Sequence, residues 1–162
     1  MSNSEKELLE RSAVLLFIDR YNKIFNDELK LFSLGDKPDS IITNARGEKV
    51  GIEIAHLFYD AEEAKYTLGR GNTNSKKILR NYILSLNAIL IKKEKKWQDY
   101  LCHCCHCPVW LLIRSASQLL SYEIIEAYKK DLYIPPQSYE HIWLLLDNPD
   151  MLERWTTLVM IK

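Results

Sequence analysis

A chain of 162 residues is long enough to bury a full hydrophobic core in one domain. Its 47% hydrophobic and 27% charged residues place it among ordinary globular proteins. Lys+Arg and Asp+Glu both number 22, so the formal net charge is zero and any affinity for a polyanion must come from a local patch. The start, MSNSEKELLE, is polar and acidic, unlike the apolar run of a signal peptide. No stretch approaches the roughly 18 consecutive apolar residues of a membrane span. The expectation is a cytoplasmic protein with no membrane partner. The four cysteines crowd into Cys102–Cys107, too close together to staple distant loops.

From Ser4 to about Asn26, Leu8, Val14, Leu15, Ile18, Tyr21 and Phe25 recur at helical spacing. Ser4 is the expected N-cap, with Glu7 as its capping-box partner. ELKLFSL, Glu28 to Leu34, alternates polar and apolar and reads as a first strand. Asp39 to Thr43 is a second. NARGEK supplies a turn, and Lys49 to Phe58 is a third strand. On that strand Val50, Ile52, Ile54 and Leu57 are the apolar set, while Gly51, Glu53 and Ala55 share the other face. A charged, glycine-containing stretch, Asp60 to Asn74, precedes a long helix over about Ser75–Tyr100, with Ile78, Tyr82, Leu86, Ile89 and Leu90 at helical spacing. CPVWLLIRSAS reads as a buried strand, SYEIIEAYKKDLY as a helix capped by Ser121, HIWLLLD as another buried strand and WTTLVMIK as a last one. The order αβββαβαβ, with that closing strand, predicts an α/β fold with a mixed β-sheet flanked by helices.

Asp39 and Glu53 are the unusual residues. Taken singly, each reads as a turn or edge-strand acid. As a pair they are more informative, because a hairpin turning near Asn44–Lys49 brings them close across the ladder. Glu53 sits between Ile52 and Ile54, and small Gly51 and Ala55 on its own face leave space around it. A buried carboxylate must be paired, solvated or metal-bound. Two hard oxygen donors at one small cavity suit Mg²⁺ or Mn²⁺.

Pro38-Asp39, thirteen intervening residues and then Glu53-Ile54-Ala55 resembles the signature of the PD-(D/E)XK nuclease superfamily. GIEIAHLF is similar to the third strand of small members in which the lysine is replaced, and YEHIWLLLD to their late core strand. The resemblance implies a restriction-endonuclease-like fold over residues 1–162 and divalent-metal-dependent hydrolysis of phosphodiester bonds, in DNA before RNA. It implies that Asp39, Glu53 and the Ile54 carbonyl bind the metal and that an acid of the first helix, Glu10 or else Glu7, supports it. The family's lysine follows the Glu by two residues and orients or activates the attacking water; here that position is Ala55. Lys49 lies roughly 13 Å back along the strand, too far to serve. In some members the lysine moves to the following helix, and Lys77, beside Lys76, is the candidate here. Loss of the lysine equally fits a degenerate member that binds nucleic acid or a protein without cutting.

CHCCHC contains Cys-x-x-Cys twice, Cys102/Cys105 and Cys104/Cys107, with His103 and His106 between. Zinc is usually held by two separated ligand pairs, so a closed Zn²⁺ site at Cys102, Cys105 and Cys107 needs a second chain. A zinc-bridged interaction protein is therefore a further reading, and buried cysteines at a helix–strand junction the plainer one. GRGNTNSKK lacks P-loop spacing but places Arg70, Lys76 and Lys77 near glycines, as a phosphate-touching loop or an ordinary solvated one. KKEKK, 92 to 96, reads as the exposed end of the long helix, and the tryptophans and tyrosines as core. With zero net charge, a homodimer or protein partner is expected to complete any nucleic-acid groove.

Overall fold

The structure, a computed structural model, describes residues 2–58, 75–117, 119–147 and 157–162. Helix α1 spans Asn3–Phe25. Its cap is Ser2 rather than Ser4: the Ser2 hydroxyl accepts from the Glu5 amide and Glu5 reaches back to the Ser2 amide, which satisfies donors of the first turn. Asn26 closes the helix in the left-handed region at φ 50°, a conformation asparagine tolerates better than most residues. The inward stripe is Glu10, Ala13, Val14, Phe17 and Ile18.

Strands β1 (Lys30–Leu34), β2 (Ser40–Thr43) and β3 (Lys49–Leu57) form an antiparallel meander. Gly47, at φ 78°, turns β2 into β3. Helix α2 (Ser75–Glu94) and the short α3 (Trp97–His103) then lead to β4 (Val109–Ser115), parallel to β3. Helix α4 (Tyr122–Ala127) and a 3₁₀ turn (Lys129–Asp131) lead to β5 (Ile142–Leu146), parallel to β4, and β6 (Thr157–Met160) closes the sheet antiparallel to β5. The strand order is β1-β2-β3-β4-β5-β6. The expected long helix to Tyr100 is thus two, and the expected 121–133 helix ends at Ala127. Lysines at 92, 93, 95 and 96 crowd the break and gather where the α2 carbonyls end, a favourable place for cations.

Each face of the sheet buries its own core. Val50, Ile52, Ile54, Trp110, Leu112, Trp143 and Leu145 face α1. Ala55, Leu57, Leu111, Ile113, Leu144 and Leu146 face α2, α3 and α4, which supply Ile78, Leu86, Leu90, Tyr100 and Ile125. Both parallel crossovers cover the same face, as right-handed connections require when strand order advances in one direction. No helix among the described residues is long and apolar enough to cross a membrane.

Gly51 marks a close approach. A Cβ there would lie 2.7 Å from the Pro38 ring, so the space expected beside Glu53 is filled by the proline that precedes Asp39. Gly51→Ala is expected to destabilise the protein by about 1–3 kcal/mol, because neither the ring nor the strand can give way cheaply. A lowered denaturation midpoint checks this, and an unchanged midpoint would mean the Pro38 ring shifts freely.

Candidate metal-binding and hydrolytic site

The β2–β3 ladder pairs Ser40 with Ile52, so one step further Asp39 stands opposite Glu53 on the face toward α2. Both are buried, at 6% and 4% exposure. Asp39 Oδ2 accepts from the Ile54 amide at 2.8 Å. β2 begins at Ser40, so this amide has no backbone partner there and the carboxylate takes the place of one. Burial, and then the Glu53 charge, push the Asp39 carboxyl up to about 7; the Ile54 amide and Lys93 only partly offset this.

Glu53 is held differently. Its Oε1 accepts from Lys93 Nζ in a buried ion pair, while its Oε2 is buried with no hydrogen-bond partner among the described residues. The same Lys93 Nζ lies 3.4 Å from the Ile54 carbonyl oxygen. One ammonium therefore touches two oxygens that the sequence reading assigns to a metal. The Tyr100 hydroxyl is pushed well above its ordinary range by burial and then by the Glu53 charge, so it stays protonated beside the pair. Tyr139 donates from its hydroxyl to the Lys93 carbonyl at 2.8 Å, and Tyr133 to Glu94 at 2.6 Å. Asn87 accepts from the Tyr133 amide and donates to the Asp131 carbonyl, both at 2.8 Å. These bonds pin the last turns of α2 above β3.

The other expected residues divide. Glu10 comes to the rim from α1, nearly buried, ion-paired to Lys6 at 3.3 Å, and its charge reaches Asp39. Glu7 is exposed at a neighbouring cleft with Glu10 and Asp36. Lys77 is exposed at the opposite end of α2, roughly 24 Å along the axis from Lys93. Its distance sets it apart from the carboxylates, and Lys93, in the run read as surface charge, is the amine that reaches them. A signal for Lys93 was present: it follows Leu86 by seven positions and Leu90 by three, so it continues the buried stripe of α2. Arg70 lies outside the described residues.

The cysteine run assembles nothing comparable. All four thiols are free; Cys102 and Cys105 are exposed, and Cys104 points inward, donating to the Cys107 carbonyl at 3.2 Å. Burial pushes the Cys104 thiol up to about 12, away from the thiolate that zinc binds. Among the described residues no group of three or more His, Cys, Asp or Glu side chains is placed to hold a metal ion. The oxygen site is accordingly a pair of carboxylates with a carbonyl. That donor set fits Mg²⁺ or Mn²⁺, which keep several waters and need only one or two carboxylates. The partnerless Glu53 Oε2 fits the same donor set.

No family model, curated protein or solved structure matches the chain.

Proposed function

We propose that the chain is a divalent-metal-dependent phosphodiesterase, a nuclease of PD-(D/E)XK type acting on DNA before RNA. The observation that carries this is the buried Asp39–Glu53 pair with Lys93 bridging Glu53 and the Ile54 carbonyl. The antiparallel β1–β3 meander followed by parallel β4 and β5 supports a restriction-endonuclease-like fold. Asp39, Glu53 and the Ile54 carbonyl would hold Mg²⁺ or Mn²⁺. The bound ion supplies a lower pKa for its water and neutralises charge on the phosphoryl oxygens.

The protein's own groups do the rest. Asp39 and Glu53 concentrate negative charge where a cation must sit. Lys93 fills the role of the amine missing at Ala55: released from Glu53, it donates to the attacking water or a phosphoryl oxygen and stabilises the charge that develops in flight. Glu10 keeps Lys6 at the rim of the groove. The overall reaction adds water across one ester bond, leaving a phosphomonoester and a hydroxyl.

The binding-only alternative rests on Ala55 and on zero net charge. Incubation with supercoiled and linear DNA in Mg²⁺ or Mn²⁺ separates the two readings. Cleavage that requires metal and falls at least about 10³-fold in Glu53→Ala is the expected result. Metal-independent cleavage, or none in the native protein, overturns the nuclease reading.

A further inference from the structure

The groove beside the carboxylates has features that metal binding leaves unused. β2 reaches only to Ser40, opposite Ile52, so beyond the Asp39 carboxylate on the Ile54 amide no strand among the described residues pairs with β3 from Ala55 to Leu57 on that side. α1 forms one lip, with Lys6 paired to Glu10, and α2 the other, with Lys92 and Lys93; about 360 Å³ lies between them over an apolar floor of Ile54 and Ala55. At its end stands Phe58, 61% exposed. The Phe58 ring is stacked on the His56 imidazole, with centroids 5.8 Å apart and planes 25° apart. His56 Nε2 is buried with no hydrogen-bond partner among the described residues.

An apolar floor, lysines on both lips and a pre-stacked aromatic at one end match a nucleotide strand: phosphates for the lysines, a base face for the ring. A paired base hides its faces within the duplex stack and offers only its edges. A platform of this kind is usable only by a base that is out of the stack. Phe58 lies four residues beyond Ile54, roughly 13 Å along the strand, within reach of a nucleotide near the reacting phosphate. We propose that the groove takes an unpaired stretch of DNA strand, with one base stacked on Phe58 and flanking phosphates held by Lys92 and Lys6; this rests on the phosphodiesterase reading for its place beside the metal ligands.

Binding of a labelled single-stranded oligonucleotide and of the blunt duplex of the same sequence, in Ca²⁺ to prevent cutting, tests this. The single strand is expected to bind at least about tenfold more tightly, and Phe58→Ala to weaken it about 5- to 100-fold. Phe32→Ala removes another exposed aromatic, on β1, and serves as control. Equal affinity for duplex and single strand, or single-strand affinity indifferent to Phe58→Ala, overturns the proposal. The two readings fail separately. Phe58-dependent binding without cleavage in Mn²⁺ upholds the groove and sinks the hydrolase; cleavage without Phe58 dependence does the reverse.

Discussion

Asp39→Asn is expected to make the metal-free protein more stable near neutral pH and above, not less. The Asp39 carboxyl is raised from 3.8 to about 7, so the folded state holds its proton more tightly than the unfolded chain does. For a group raised in this sense, the stabilising contribution is complete below about pH 3.8 and is lost as pH climbs through 7. Once the carboxyl is ionised the cost is of the order of 4 kcal/mol, since each pKa unit is worth about 1.4 kcal/mol. Asparagine removes that cost while its side-chain oxygen still accepts from the Ile54 amide. The variant should melt roughly 8–16 °C higher near pH 8, and little changed near pH 3.5, in chelator. Thermal melts at the two pH values check it, and a lower melting point at both would contradict it. A stabilising change at a buried acid is what a site strained for binding produces.

Lys93→Met should separate two properties that a structural lysine would lose together. Removing the amine leaves Glu53 buried and uncompensated, at a cost of about 3–5 kcal/mol. It also removes the cation that competes with a metal for Glu53 Oε1 and the Ile54 carbonyl. Mn²⁺ should therefore bind at least as tightly as in the native protein and restore much of the lost stability. DNA cleavage should fall about 10²- to 10⁴-fold even at saturating metal. Lys77→Ala, at the far end of α2, should change neither. Undiminished cleavage in Lys93→Met, or lost Mn²⁺ binding, would remove Lys93 from the catalytic role.

The contrast between Asp39 and Lys93 explains what was legible in the sequence. Asp39 and Glu53 are joined by one short hairpin, and a period of two carries parity reliably from Gly47 back to both residues. The apolar runs of β4 and β5 are likewise local signals, since a strand buried on both faces needs a continuous apolar stretch. Lys93 lies forty residues from Glu53, and its partner is decided by how α2 packs across the sheet, which is a tertiary property. Its neighbours Lys92, Lys95 and Lys96 mask it as one more solvated charge. Only its place on the stripe of Leu86 and Leu90 marks it. The Ser4 cap and the continuous 75–100 helix went astray for a related reason. Ser2 and Ser4 offer the same chemistry, and no proline or glycine marks the break after Glu94, where the Tyr139 hydroxyl donates to the Lys93 carbonyl.

Titration of Mn²⁺ into the native protein, Asp39→Asn and Glu53→Gln tests the convergence of the two carboxylates most directly. The expected result is a single ion per chain in the native protein, bound more weakly near pH 5.5 than near pH 8 because the Asp39 proton must leave, and lost in both variants. Equal Mn²⁺ binding by all three proteins would contradict it.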